Sequence, residues 1–124
     1  MIDVLPSIVS ILRNVPGFHS RVYRKWPAKD TKLPYCVVGR VSTTVPVSDH
    51  DGSEVIAYLT YSVDINADSF TNTDKLAEDA VNALAGFNIH RTGDTELYDD
   101  SARIYRRILT VSVAVDRRGN TFKE

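Results

Sequence analysis

Residues 55–67 read VIAYLTYSVDINA, and from Leu59 onward apolar and polar side chains alternate without a break. One side of this segment carries the apolar residues Leu59, Tyr61, Val63, Ile65 and Ala67, and the other side carries Thr60, Ser62, Asp64 and Asn66. Successive side chains of a β-strand point to opposite faces, so this alternation predicts a strand with one buried face and one wet face. Residues 103–115 repeat the pattern, with Leu109, Val111, Val113 and Val115 on one parity. Two long strands in so small a domain are typical of a protein that serves as a scaffold or forms an interface.

Two amphipathic helices are predicted beside these strands. From Asp3 to Asn14 the apolar residues recur at spacings of three and four, and Asp3 can cap the first turn. A second stripe predicts a helix that starts from a polar cap within residues 68–73; it comprises Leu76, Ala77, Ala80, Val81 and Leu84. Gly86 is placed to end this helix as a left-handed cap.

Three further strands are expected, at residues 18–26, 35–45 and 87–91, with residues 92–101 as a turn-rich connection. In the segment 35–45 one parity is shared by Tyr35, Val37, Val41 and Val45, and Gly39 suggests a bulge. The element order is therefore helix, three strands, helix, two strands. This order predicts an α+β fold in which an antiparallel, or at most mixed, sheet of about five strands carries both helices on one face.

The bulk composition fits one globular domain, predicted to span residues 1–116, with residues 117–124 as a flexible tail. The chain has 124 residues, of which 43% are hydrophobic, and its formal net charge is -1. A protein that grips duplex DNA normally carries a basic excess, which this total charge does not supply. The first residues do not resemble a signal peptide and no apolar run approaches a membrane span, so synthesis and retention in the cytosol are expected.

The predicted core lies where the helix stripe meets the two strand parities. It comprises Leu59, Tyr61, Val63, Ile65, Leu76, Ala80, Leu84, Leu109, Val111 and Val113. The single cysteine, Cys36, adjoins Tyr35, Val37 and Val38, and this apolar setting favours a buried thiol over a reactive one.

No constellation in the sequence indicates a catalytic or metal site, and no cofactor is predicted. The triplet Asp49, His50 and Asp51 lies beside an Asp-Gly turn, where adjacent residues seldom aim at one ion, so a solvated turn is favoured over a metal site. The acidic residues Glu96, Asp99 and Asp100 are interpreted as a solvated loop. A ligand pocket between helix and sheet would need a polar group on the buried sheet face, and the parity of Asp64 and Asn66 places these residues on the opposite face.

The closing strand contains Arg103, Arg106 and Arg107 around Tyr105, a set that could contact a nucleic-acid backbone. Alternation places Arg106 on the opposite side from the other two arginines. A protein interface or charge protection of a sheet edge therefore explains these residues more readily than nucleic-acid binding does.

Taken in order, these segments resemble the tail terminator, or tail-completion, proteins of long-tailed bacteriophages and prophages. The resemblance spans nearly the whole chain and rests on the order of short sequence segments. These are the first helix ending at Asn14; Arg21, Val22 and Tyr23 followed by Pro27; residues 33–38 (LPYCVV); residues 63–67 (VDINA); the helix from Lys75 to Gly86; and residues 107–113 (RILTVSV).

The resemblance implies a non-enzymatic virion protein that forms a ring, expected to be a hexamer, on the head-proximal end of the tail tube. Such a ring would stop tube growth, contact the tail tube protein and offer a surface to the head-completion or connector protein. It would assemble in the cytoplasm of the bacterial host, with no membrane partner, and DNA would pass through without specific binding.

The resemblance transfers no motif for the contact surfaces, so these are predicted from exposure and position. The interface candidates are Trp26, Pro46, Val47, Asp49, Asp51, Arg103 and Arg107. The residues 46–53 are expected to form a projecting loop that contacts a neighbouring subunit or the tube. The acidic side of the second helix, with Asp74, Glu78 and Asp79, is the candidate lumen or ring-facing surface, because carboxylates repel the phosphates of passing DNA. The alternative, which is favoured, is that these residues are simply the solvated side of an amphipathic helix. For the function of the whole chain, the alternative is a small nucleic-acid-binding or ligand-binding α+β module.

Overall fold

The structure, a computed structural model, describes residues 3–28, 31–44, 57–115 and 121–122. Helix α1 spans Leu5–Arg13 and helix α2 spans Phe70–Ala85. The strands are β1 (Val22–Tyr23), β2 (Tyr35–Thr44), β3 (Ala57–Ala67), β4 (His90–Asp99), β5 (Ile104–Val115) and β6 (Thr121–Phe122). Neither helix of the described part has the length and apolar character that crossing a membrane requires.

One mixed sheet forms the body of the protein, in the order β1-β2-β3-β5-β4. The short β1 runs parallel to β2, and the β2–β3, β3–β5 and β5–β4 pairs are antiparallel. β6, which lies within the segment predicted to be a flexible tail, pairs with residues 114–115 of β5. The predicted α+β class and element order are confirmed.

Both helices pack on one sheet face, where the alternating residues of the central strands meet their apolar stripes. All ten residues of the predicted core are buried. Cys36 is buried as well, and it points into this core together with Val38. Burial raises the pKa of its thiol, which supports the prediction of an unreactive cysteine.

The start of α1 is anchored to the middle of the sheet by a tyrosine hydroxyl. The hydroxyl of Tyr61, on β3, accepts a hydrogen bond from the Val4 amide at 3.1 Å and donates one to Asp3 Oδ1 at 2.9 Å. Asp3 Oδ1 also accepts from the Leu5 amide at 2.9 Å, so Asp3 satisfies the first amide of α1, although the N-cap residue itself is Val4, whose side chain makes no capping hydrogen bond. Burial raises the pKa of Asp3, but the hydrogen bonds from Leu5 and Tyr61 and the positive charge of Arg40 lower it by more, so the net pKa is lowered.

Several local predictions were wrong. The segment 18–26 contains only the two-residue β1, because Phe18 belongs to a 3-10 turn at Pro16–Phe18 and the left-handed His19 and Ser20 are not extended. The segment 92–101 is mostly strand, since β4 continues to Asp99. Gly86 has a helical φ of -62°, and the left-handed residue after α2 is Asn88.

In β2 the register shift lies between Arg40 and Ser42, at Val41, two residues past the glycine that suggested it. Tyr35 and Val37 lie on the face opposite the helices, and Val41, at the shift, is exposed.

Candidate interaction surfaces

The two adjacent arginines of β5 lie on opposite faces of the sheet, as their alternation predicted, and both are held by carboxylates. Arg107 lies on the helix side, where its Nε and Nη2 donate to Asp94 of β4 at 2.9 and 2.6 Å. Its Nη1 donates to Asp74 of α2 at 2.6 Å and lies 3.5 Å from Glu96. The guanidinium therefore ties α2, β4 and β5 together.

The electrostatics of this cluster follow from the crowding of three carboxylates around one cation. Hydrogen bonds from Arg107 lower the pKa of Asp94, and those same contacts raise the pKa of Arg107. A hydrogen bond with the carboxyl of Asp74 raises the pKa of Glu96. Arg107 is thus engaged within the subunit, and Glu96 belongs to a paired cluster on β4 instead of the solvated loop that was predicted.

Arg106 lies on the sheet face opposite the helices, which we call the far face. There it covers Asp64, whose side of β3 was predicted to face solvent. Its guanidinium forms an ion pair with Asp64, and its Nε donates to Asp64 Oδ1 at 3.2 Å. Asp64 and Asn66 have the predicted parity, but both are buried, with exposures of 7% and 1%. The sequence missed this burial because periodicity assigns a face and cannot show that another segment covers it.

A cleft surrounds this polar pair on the far face. Its lining residues are Trp26, Pro27, Ala28, Tyr35, Asn66, Asp99, Ser101, Ala102, Ile104 and Arg106. Asn66 donates to the carboxylate and the backbone oxygen of Asp64, and its own Oδ1 has no hydrogen-bond partner among the residues that the structure describes. The hydrogen bond to Asp64 raises the pKa of Arg106, whose guanidinium carbon lies 5.0 Å from the centre of the Trp26 ring.

Trp26, the interface candidate in this region, is 57% exposed and separates the cleft from a second hollow. We call that hollow the basic depression, because four cationic side chains line it: Arg13, Arg24, Lys25 and Arg40. Arg13 donates to the backbone oxygen of Val22, and Arg40 pairs with Asp3. Arg24 and Lys25 are exposed and form no ion pair with any described residue.

The acidic side of α2 lies on a helix that packs over β3 and β5, away from the basic depression on α1, β1 and β2. Glu78 and Asp79 are exposed and, within the described ranges, pair with no cation; we call these two residues the acidic helix face. Asp74, the third lumen candidate, is half exposed but bound to Arg107.

The remaining interface candidates are only partly described. Arg103 is exposed in the β4–β5 turn with a φ of 54°. Pro46, Val47, Asp49 and Asp51 lie outside the described residues, so their predicted role stays a prediction. Among the residues that the structure does describe, no group of three or more His, Cys, Asp or Glu side chains could hold a metal ion.

Comparison with known proteins gives a match of fold only. No protein-family model and no curated protein matches the chain. Among solved structures, it is similar to a chain of the virion of a native gene transfer agent particle, with a TM-score of 0.63 and 17% sequence identity. The match covers 88% of this chain and 91% of that chain, so the two share one fold along nearly their whole length.

Proposed function

We propose that this protein is a non-enzymatic structural component of a phage-like virion, and that it closes the head-proximal end of the tail tube as a ring. The observation that carries the proposal is the nearly full-length likeness to a chain of a gene transfer agent virion. The resemblance of the ordered sequence segments to tail terminator proteins points independently to the same class of particle.

In this proposal the protein assembles in the bacterial cytoplasm and resides at the head-proximal end of the tail. Its partners are further copies of itself, in a ring of six, the tail tube protein and a head-completion or connector protein. DNA passes through the ring without being bound. The state of the β5 arginines supports this last point, because Arg106 and Arg107 are both held by carboxylates and have little capacity left for phosphate.

A ligand-binding module is the second candidate function, and the far-face cleft is the observation that favours it. The parity argument concerned only a pocket between the helices and the sheet; Asp64 and Asn66 do lie on the opposite face, where they are buried beside this cleft. The unpaired Oδ1 of Asn66 would accept a hydrogen bond from a ligand. A small-molecule library screened by thermal shift should give hits that Asn66→Leu abolishes if this candidate is correct.

Deletion of the gene in the phage or prophage that carries it tests the main proposal. We expect tails of irregular and excessive length that do not join heads, because nothing ends polymerisation of the tube. Expression of the wild-type gene from a plasmid should restore uniform tails. Tails of normal length that are already joined to heads in the deletion strain would refute the proposal.

A further inference from the structure

The charges of this nearly neutral chain are separated along the sheet. Residues 3–28 and 31–44, which include α1, β1 and β2, contain six Lys and Arg but a single acidic residue, Asp3. Residues 68–103, which include α2 and β4, contain eight Asp and Glu against three Lys and Arg. β1 and β4 are the two ends of the five-strand order; α1 packs on β1 and β2, whereas α2 packs on β3, β5 and β4, so the basic and acidic regions occupy two different halves of the molecule.

Within each region, only part of the charge is free for an external partner. Arg107 binds Asp94 and Asp74 inside the subunit, and Asp3 binds Arg40. The exposed charges that remain unpaired among the described residues include Arg24 and Lys25 of the basic depression on one side. On the other side they include both carboxylates of the acidic helix face.

The basic depression also has the form of a docking surface. It is concave, and the exposed indole of Trp26 stands on its rim. Tryptophan and arginine are the side chains that most often dominate binding energy at protein interfaces. A two-fold dimer through this surface would oppose cation to cation, whereas head-to-tail contact with the acidic side of another copy opposes cation to carboxylate.

We propose that the acidic helix face of one copy docks into the basic depression of the next, with Glu78 and Asp79 opposite Arg24 and Lys25. The contact joins two different surfaces of the same chain, so its repetition closes a ring when the rotation between copies allows it. This inference rests on the ring of the proposed function and identifies the two surfaces that meet. It assigns Glu78 and Asp79 to the contact between subunits and leaves them unavailable to line the lumen.

Charge reversal tests the contact on the purified full-length chain. The variants are Arg24→Glu with Lys25→Glu, Glu78→Lys with Asp79→Lys, and the four-fold swap that combines them. Native mass spectrometry and light scattering would follow assembly across protein concentration at low and high salt. Circular dichroism melting would confirm that each variant is folded, which is expected because all four side chains are exposed.

We expect each double reversal to raise the protein concentration needed for assembly by about tenfold or more, since each replaces two attractions with two repulsions. The four-fold swap should recover assembly, and high salt should weaken assembly of the wild-type protein. Lys32→Glu is the charge-matched control for Lys25→Glu, because Lys32 is exposed and lies outside both surfaces, and it should change the assembly concentration less than about twofold.

The outcomes separate this inference from the proposed function. If the wild-type chain assembles and both double reversals assemble equally well, the inference is overturned and the proposed ring still stands. Double reversals that fail and a folded four-fold swap that also fails would show that the two surfaces do not meet each other. A wild-type chain that stays monomeric at every concentration and salt would count against self-assembly itself, and so against both.

Discussion

Arg106 should be among the most important polar residues for stability, because Asp64 is buried beneath it. We consider Arg106→Met, which keeps the apolar stem over the sheet and removes the charge. The Asp64 side chain is only 10% exposed, and in the variant it retains the hydrogen bond from Asn66 Nδ2 but has lost its counter-ion.

Removing one partner of a buried ion pair typically costs about 3 to 5 kcal/mol. The remaining hydrogen bond and the partial exposure of Arg106, at 22%, place the expected cost near the lower end, at about 3 kcal/mol. Loss of the guanidinium beside Trp26 adds about 0.5 kcal/mol. The double variant with Asp64→Asn removes the stranded charge, so it should recover about 2 kcal/mol relative to Arg106→Met.

Urea unfolding at pH 7, followed by far-ultraviolet circular dichroism, measures these free energies and the coupling between the two sites. Arg40→Gln is the control, because its side chain is 40% exposed and its pair with Asp3 should contribute about 1 kcal/mol or less. An Arg106→Met variant that unfolds at the same urea concentration as the control, or a double variant less stable than the single one, would refute the reasoning.

Three further predictions concern packing, a buried donor and acid stability. Gly17→Ala should lower the midpoint of thermal unfolding, at a cost of about 1 to 3 kcal/mol, because the new Cβ would come within 2.5 Å of a buried leucine on α2. Gly86→Ala, whose Cβ meets only ordinary contacts, should not lower it. Tyr61→Phe should cost about 1 to 3 kcal/mol in urea because the buried Val4 amide loses its acceptor, and an unchanged midpoint would show that water replaces the hydroxyl. The pKa of Asp94 is lowered in the folded state, so its ionised form stabilises the fold. This contribution is complete above the unfolded pKa of about 3.9 and is lost as pH falls through the folded pKa. Asp94→Asn should therefore flatten the acid limb of a stability–pH profile.

The sequence was sufficient to predict the core because apolar periodicity records burial directly. The alternating residues of β3 and β5 and the stripe on α2 each have only one apolar face, which must be the buried one. Most of the edge strand β4 was missed for the converse reason, since a strand was predicted only at residues 87–91. Its sequence, HRTGDTELYD, is polar and contains a glycine, because most of its side chains are exposed and its stability comes from pairing with β5.

The candidate surfaces were harder to predict because they depend on contacts between distant segments. Nothing near Asp64 in sequence indicates that Arg106, 42 positions later, will cover it. The basic depression likewise joins Arg13 of α1 to Arg40 of β2, although the run Arg24, Lys25, Trp26 was visible as a basic and aromatic segment. Local patterns predict which face of an element is buried, but they do not predict which charges the tertiary fold neutralises.

The position of the single tryptophan has an optical consequence. Trp26 supplies the only indole of the chain, and with 57% of its surface exposed it emits mainly from a water-like environment in the isolated subunit. Unfolding therefore changes its surroundings little, whereas docking of another copy over the rim of the basic depression would remove water from it. Intrinsic fluorescence should accordingly shift toward the blue when subunits associate and respond only weakly to urea, giving a label-free signal for assembly that is nearly blind to folding.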